Sequence, residues 1–113
     1  MLVKELIDNC NFTLLCGDGE KEIKSFYCCD LLSNALIKLK EGAVWLTVMN
    51  NINVSAVAYN NDVACVVLTE GNTPDGEMLQ AAVKHGVTVL GSKLDSYKTI
   101  IALQEANATL QIN

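Results

Sequence analysis

Three short runs of almost wholly apolar residues constrain the fold of this 113-residue chain more than any other feature. The runs lie near 43–49, 64–69 and 87–91, and Val, Leu and Ala fill most of their positions. A strand that is apolar at successive positions, rather than at alternate ones, is covered on both faces. Such strands are typical of parallel sheets, whose crossover helices lie against the two faces. We therefore predict an α/β fold, a compact three-layer sandwich with a mainly parallel sheet and helices on its faces.

Helical patterns fill the intervals between these runs. Apolar residues follow Asp30 with a period near 3.6 until Gly42, which predicts a helix with Asp30 as its N-cap. The apolar spacing of residues 50–61 fits both a strand and a helix. We favour the helix, because two neighbouring parallel strands need a crossover connection between them.

Two more helices are predicted in the second half of the chain. Pro74 suits the first turn of one helix, and Gly86 ends it. The last helix is predicted from about 95 to 105. The tail 106–113 is predicted to dock on the domain through Leu110 and Ile112 or to form a short edge strand.

The N-terminal part of the chain is predicted to hold one helix and two strands. The helix ends near Asn9 because its apolar spacing stops there. Residues 12–15 and 22–29 have strand-like patterns, and a glycine-rich turn at 17–19 separates them. We interpret them as two strands joined by a short loop, a hairpin-like unit.

Charge and hydropathy argue against two classes of function. Thirteen acidic and eight basic side chains give a net charge of −5, and the basic residues form no cluster that could neutralise a row of phosphates. No apolar run approaches the length of a bilayer-spanning helix, and the first residues lack a signal-peptide pattern. We therefore expect a soluble, cytoplasmic protein that binds neither nucleic acid nor membrane.

The cysteines are expected to be free thiols. They number five, an odd count, in a chain without an export signal. No Cys-x-x-Cys pair occurs, and His85, the single histidine, is far from the cysteines in sequence. On a strand, the adjacent Cys28 and Cys29 would point to opposite faces, which argues against joint ligation of one metal ion. We predict no metal and no cofactor.

Size and apolar content predict one domain that pairs with a copy of itself. The length of the chain is that of one domain, so 1–113 is treated as one unit. Half of the residues are apolar, more than a small monomer can readily bury. A twofold homodimer is the simplest way to cover the excess.

Three polar loops are candidates for ligand binding. Open parallel sheets bind ligands beyond the carboxyl ends of their strands, where helix N-termini offer backbone N–H groups. The small polar residues of these loops suit a nucleotide or a small anion. The alternative is that they only make turns and caps, and that their one lysine is solvated. The candidate residues are Asn50, Asn51, Thr69, Glu70, Gly71, Asn72, Gly91, Ser92 and Lys93.

Several segments between residues 27 and 105 together resemble the DRTGG domain family, which is also seen as the N-terminal module of HPr kinase/phosphorylase. The order and spacing of the segments carry the match more than any one of them does. The segments are CDLLS (29–33), EGAVWLT (41–47), NVSAVA (53–58), VVLTEGNTPD (66–75), HGVTVLGS (85–92) and DSY (95–97).

The resemblance implies a compact α/β domain, a helix over 50–61, and a regulatory or interaction module more than an enzyme. For Asp30 and Ser33 it offers ligand contact as the alternative to a helix N-cap and a first-turn residue. Where the naming motif is expected, at 21–26, this chain reads KEIKSF, without Arg-Thr-Gly-Gly. The P-loop pattern Gly-x-x-x-x-Gly-Lys-Ser/Thr is absent as well, so kinase activity is not carried over.

Two functional hypotheses follow. The first is a non-catalytic regulatory or ligand-sensing module that binds a nucleotide or a small anion at the strand ends and acts through a homodimer on a partner protein. The alternative is a ligand-free protein-interaction scaffold. We predict that the chain is not an enzyme, because no catalytic group can be paired from the sequence; a cysteine nucleophile would be the one plausible form.

Overall fold

Strands and helices alternate along the chain from residue 25 onward, as the apolar runs predict. The structure, a computed structural model, describes residues 1–112, and the side chains of 1–109. The described residues form α1 Val3–Cys10, β1 Thr13–Cys16, β2 Ser25–Cys28, α2 Leu32–Lys38, β3 Ala43–Thr47, α3 Ile52–Asn60, β4 Cys65–Leu68, α4 Gly76–His85, β5 Val89–Gly91 and α5 Ser96–Ile112. The segment that fitted both a strand and a helix is thus the helix α3.

The five strands form one mixed, mostly parallel sheet with the order β1-β5-β4-β3-β2. β2 to β5 are parallel, and β1 pairs antiparallel with β5. The predicted fold class is confirmed. All of β3 and β4 is buried, because a parallel neighbour lies on each side of each strand and helices cover both faces.

The hairpin-like unit predicted near the N-terminus is wrong, because β1 and β2 lie at opposite edges of the sheet. The segment that connects them runs beside α1 instead. Val3 N donates to Lys21 O at 3.0 Å, and Lys4 N donates to Gly19 O at 2.9 Å. Each N-terminal strand pairs with a strand from later in the chain, and local residue patterns carry no information about such pairing.

Two cores sandwich the sheet. Along β3 alternate side chains point to opposite faces, so Trp45 packs on the side of α2, α3 and α4, while Val44 and Leu46 pack on the side of α1 and α5. The three-layer arrangement follows from this alternation. No helix among the described residues is long and apolar enough to cross a membrane.

Two predicted helix ends are wrong. Pro74 lies before α4 rather than in its first turn, because Asp75 is the N-cap and accepts a hydrogen bond from Met78 N at 2.8 Å. α5 continues to Ile112, since neither glycine nor proline follows residue 105 to stop it, and no edge strand forms over 106–112. The predicted docking of the tail through Leu110 and Ile112 lies outside the described residues.

Trp45 connects the core to the end of β2. It is fully buried, and its indole Nε1 donates to Cys29 O at 3.0 Å. Replacing Trp45 with Ala leaves a large cavity and an unpaired carbonyl, so we expect the free energy of unfolding to fall by about 3–5 kcal/mol. Urea unfolding followed by circular dichroism measures this loss.

The control is Tyr97→Ala, which removes an aromatic ring that is 73% exposed. This change is expected to stay within about 0.5 kcal/mol of the parent. A loss below 1 kcal/mol for Trp45→Ala would contradict the role assigned to the tryptophan.

Candidate functional site

The carboxyl ends of four parallel strands lie at one edge of the sheet, and the loops that follow them are hydrogen-bonded to one another. Asn50 Nδ2 donates to Thr73 O at 2.8 Å, which joins the loop after β3 to the loop after β4. Gly71 N donates to Ser92 O at 2.9 Å and joins the loop after β4 to the loop after β5. The structure therefore brings the three predicted loops together.

Two pairs of hydroxyl groups hold the start of α5 against this edge. The Thr69 and Ser96 hydroxyls are 2.8 Å apart, and the Ser92 and Thr99 hydroxyls are also 2.8 Å apart. Thr69, Ser92 and Thr99 are buried. Within the described part of the chain, every buried side-chain nitrogen or oxygen has a hydrogen-bond partner. The buried polar groups of this edge therefore stabilise one another without a ligand.

Side chains of the protein already accept hydrogen bonds from the N-termini of α3, α4 and α5, three of the four helices that start here. Asn51 Oδ1 accepts from Asn53 N at 3.0 Å at the start of α3. Asp75 caps α4, and Asp95 Oδ1 accepts from Lys98 N at 2.8 Å at the start of α5. One donor of each helix N-terminus is therefore occupied, and the two carboxylates place negative charge beside the loops.

The prediction that Asp30 caps α2 is wrong. Leu31 is the N-cap and has no side-chain capping bond. Asp30 Oδ1 instead accepts from the Thr47 hydroxyl at 2.8 Å and from Val48 N at 2.9 Å, because β2 and β3 end side by side. Ser33 lies on an exposed position of α2. Asp30 thus links the end of β2 to the end of β3 through two hydrogen bonds.

A cleft of about 140 Å³ opens at this edge between β5, the loop after β4 and the antiparallel strand β1. Five predicted residues line it: Gly71, Asn72, Gly91, Ser92 and Lys93. Six predicted residues lie outside its lining: Asp30, Ser33, Asn50, Asn51, Thr69 and Glu70. The other lining residues, Thr13, Leu15 and Thr73, were missed, two of them because the sequence did not place β1 beside β5.

Lys93 is the one basic residue among those that line the cleft. Its ammonium has no hydrogen-bond or ion-pair partner among the described residues. The same holds for Lys38, Lys40, Lys84 and Lys98, whereas Lys4, Lys21 and Lys24 each pair with a carboxylate. An unpaired ammonium beside a cleft can contact an anionic group without first breaking an ion pair. This feature makes the cleft the part of the edge best suited to an anion.

Two other grooves lie away from the predicted loops. One of about 180 Å³ lies between β2 and α5, and Phe26 and Ile100 are among its lining residues. The other, of about 330 Å³, lies between α3 and α4, where the Tyr59 and His85 rings stack at a centroid distance of 4.4 Å. Sequence patterns gave no sign of either groove. The described residues include no cluster of three or more potential metal ligands.

The surroundings of Cys10, Cys16, Cys28 and Cys65 raise the pKa of their thiols. Burial raises the pKa of Cys10 to about 11 and raises the pKa of Cys65 further. Burial also raises the pKa of Cys16, and the pKa of Cys28 is raised by burial and then by the nearby Asp30 carboxylate. These four thiols are therefore protonated at neutral pH, which is unfavourable for a cysteine nucleophile.

Similarity to known proteins is found in both sequence and fold. The family model described as the DRTGG domain matches residues 5–106. The fold is similar to the crystal structure of the CBS and DRTGG domains of the regulatory region of Clostridium perfringens pyrophosphatase, complexed with its activator, diadenosine tetraphosphate. The TM-score is 0.77 at 16% sequence identity, over 93% of this chain and 46% of that chain. No curated protein matches the sequence.

The hydrogen bonds by which Asp30 links the ends of β2 and β3 can be tested by stability measurements. Replacing Asp30 with Ala leaves the Thr47 hydroxyl and Val48 N–H without their acceptor, so we expect the free energy of unfolding to fall by about 1–2 kcal/mol. Ser33→Ala, at an exposed position of α2, is the control and should stay within about 0.5 kcal/mol. If the two changes lower the free energy of unfolding equally in urea, the role assigned to Asp30 is contradicted.

Thiol reactivity tests the protonated state of the cysteines. Because the pKa values of Cys10, Cys16, Cys28 and Cys65 are raised, we expect slow alkylation by iodoacetamide at pH 7 and a rate that rises as the pH increases above 9. Mass spectrometry of the labelled peptides measures each site, with free cysteine as the reference. Labelling of any of the four much faster than free cysteine at pH 7 would contradict the assignment.

Proposed function

The chain belongs to the DRTGG domain family, and on that premise we propose that it is a non-catalytic regulatory module that senses a nucleotide or small anion. The ligand binds in the cleft at the carboxyl ends of β4 and β5, and the module acts through a homodimer on a partner protein. The observation that carries the proposal is that Lys93, an exposed lysine without an ion-pair partner among the described residues, is one of the residues that line the cleft.

The size of the cleft indicates which part of a ligand it holds. Pockets that enclose a whole drug-sized ligand have volumes of roughly 300–1,000 Å³. The cleft, at about 140 Å³, is large enough for a phosphate or for one end of a nucleotide. The remainder of a larger ligand would extend over the loop after β4, where the exposed Gly71 leaves the surface open: a Cβ built there meets no atom within 4 Å.

The related structure supports a nucleotide as the first class to test. Its regulatory region binds diadenosine tetraphosphate, a ligand with two adenosines and a polyphosphate chain. A polyphosphate would place negative charge next to Lys93. Because one donor of each helix N-terminus is occupied by Asn51, Asp75 or Asp95, the lysine is expected to supply a large share of the affinity.

The homodimer is supported by the large apolar side chains that the fold leaves exposed. Ile37 is 80% exposed, Tyr97 73% and Val83 64%. They lie on α2, α5 and α4, so apolar area is present on both helical faces of the sandwich. A protein–protein contact would remove part of this area from water.

Ligand binding is tested by isothermal titration calorimetry with ATP, AMP, diadenosine tetraphosphate, NAD and acetyl phosphate, each with and without Mg²⁺. We expect at least one of these to bind, and Lys93→Gln to weaken the binding about tenfold, which corresponds to about 1.4 kcal/mol. Lys38→Gln, which removes an exposed charge from α2, is the matched control and should leave affinity unchanged.

Two outcomes would contradict this proposal. Flat titrations with every compound would favour the ligand-free interaction scaffold. Binding that both lysine variants retain equally would place the ligand outside the cleft.

A further inference from the structure

The side of α5 that faces solvent is apolar near the start of the helix. Tyr97 is 73% exposed, Ile100 43% and Ile101 40%. The opposite side of α5 packs on the sheet through Leu103 and Ala106, which are buried in the core of that face. A helix at a protein surface usually has charged or polar residues on its outer side. α5 is instead apolar on two opposite sides, a pattern that is typical of a helix with a partner on each side.

The neighbouring helix α1 has the usual pattern. It lies on the same face of the sheet, and its Cys10 thiol donates to Ala102 O of α5 at 3.6 Å. The residues that α1 exposes are polar or charged, namely Lys4, Asp8 and Asn9. Of the two helices in this layer, α5 is therefore the one whose outer side exposes large apolar side chains.

Four residues on the outer side of α5 recur at intervals of four, three and four positions: Tyr97, Ile101, Gln104 and Ala108. We call these four residues the α5 seam. With 3.6 residues in each helical turn, they lie within about 60° of one another around the helix axis. This spacing is that of positions a and d in a coiled coil, along which one helix packs against another. The α5 seam is therefore suited to contact with a second helix.

Two residues of opposite charge flank the seam on one side. Lys98 and Glu105 are seven positions apart, so about two turns separate them along the same side of α5. Both are exposed, and neither forms an ion pair within the part of the chain whose side chains the structure describes. A second α5 that runs in the opposite direction would bring its Glu105 beside Lys98 and its Lys98 beside Glu105.

The other flank of the seam is apolar. Ile100 lies on this flank and, together with Gln104, lines the groove of about 180 Å³ between α5 and β2. Phe26 lies on the opposite wall of the groove and is 38% exposed. A helix that packs on the α5 seam would also cover part of this groove and so remove further apolar area from water.

We infer that two copies of this chain pair through the α5 seam, with the two helices antiparallel and related by a twofold axis. The inference rests on the homodimer of the proposed function and specifies its interface. Lys98 of each copy pairs with Glu105 of the other, so the dimer contains two equivalent ion pairs. The sheets of the two copies lie on opposite sides of the paired helices.

The seam residues meet in a defined register. Ile101 of each copy contacts Gln104 of the other at the centre, and Tyr97 lies opposite Ala108 at each end, a large side chain facing a small one. The energy of an interface is concentrated near its centre, whereas contacts at its rim contribute little. Ile101 is therefore the residue on which the dimer depends most, and Tyr97 at the end of the seam contributes less.

A second copy fits this surface better than an unrelated helix because the surface is complementary to itself. Lys98 and Glu105 lie on either side of the centre of the seam, on the same flank. In an antiparallel pair of identical helices each therefore meets the opposite charge. In a parallel pair Lys98 would lie beside Lys98 of the second copy, and like charges repel. The charges thus favour the antiparallel arrangement of two copies.

The first test measures mass by light scattering. We expect the wild-type chain to have the mass of a dimer and Ile101→Glu to have that of a monomer, because the change would bury a carboxylate without a partner at the centre of the seam. Ile37→Glu makes the same change on α2, where Ile37 is 80% exposed, and is the control expected to remain a dimer. Circular dichroism shows whether each variant is folded.

The second test exchanges the charges. Lys98→Glu is expected to weaken dimerisation about tenfold, because it turns both ion pairs of the dimer into pairs of like charge. Glu105→Lys is expected to weaken it by a similar factor, although it changes the net charge in the opposite direction. The double variant Lys98→Glu/Glu105→Lys is expected to restore the wild-type Kd, as measured by sedimentation equilibrium.

Cross-linking tests the register and does not depend on how the Ile101 variant folds. We expect Tyr97→Cys/Ala108→Cys, in a Cys28→Ser background, to form an oxidised dimer on a non-reducing gel. Within one chain the two positions are about 16 Å apart along the helix, beyond the roughly 4.4–6.8 Å between Cα atoms that a disulfide spans. Each single cysteine variant is the control and is expected to stay monomeric on the gel, because its two copies lie at opposite ends of the seam.

The outcomes separate this inference from the proposed function. A dimer that persists in folded Ile101→Glu, or a charge exchange that fails to restore the Kd, overturns the α5 interface and leaves the homodimer to another apolar surface. A monomeric wild-type chain overturns the interface and the homodimer together, while ligand binding in the cleft is decided by calorimetry alone. If Ile101→Glu fails to fold, the cross-link decides: its formation in the double cysteine variant supports the interface, and its absence overturns it.

Discussion

Burial of the central strands on both faces is the constraint on which the rest of this structure depends. β3 and β4 expose almost nothing to solvent, so helices must cover both faces of the sheet, and each connection between parallel strands must cross over with a helix. Because β2, β3, β4 and β5 are parallel, their carboxyl ends all lie at the same end of the sheet. The position of the cleft and of the polar loops follows directly from the pairing of these strands.

Much of the fold could be predicted from sequence because burial of the strands on both faces is visible in local patterns. The buried strands appear as continuous apolar runs, and the helices appear as apolar residues with a period near 3.6. The N-terminal strands could not be paired correctly because β1 pairs with β5, the last strand of the chain, and β2 pairs with β3 across the helix α2 rather than with β1. The role of Asp30 was misassigned for a related reason. An aspartate before an apolar period is typical of an N-cap, but its carboxylate bonds Thr47 and Val48 on a neighbouring strand, a choice that depends on tertiary structure.

The candidate site was predictable as a set of loops but not as a cavity. Sequence could place Gly71, Ser92 and Lys93 at strand ends, and these residues do line the cleft. It could not distinguish them from Thr69 and Asn51, whose polar groups hold helix starts in place. Residues of both kinds are small and polar because turns, caps and ligand contacts all require short side chains that can form hydrogen bonds.

Hydrogen bonds between loops connect the end of β2, the strand at one side of the sheet, with the cleft beside β1, the strand at the other side. At the β2 end, Asp30 accepts from Val48 N, and the carbonyl of the same Val48 accepts from Asn72 Nδ2 at 3.1 Å. Asn72 lines the cleft at the β1 end. Val48, in the loop after β3, therefore forms hydrogen bonds both with Asp30 at the end of β2 and with Asn72 of the cleft, so the two ends of the strand order are held by one residue between them.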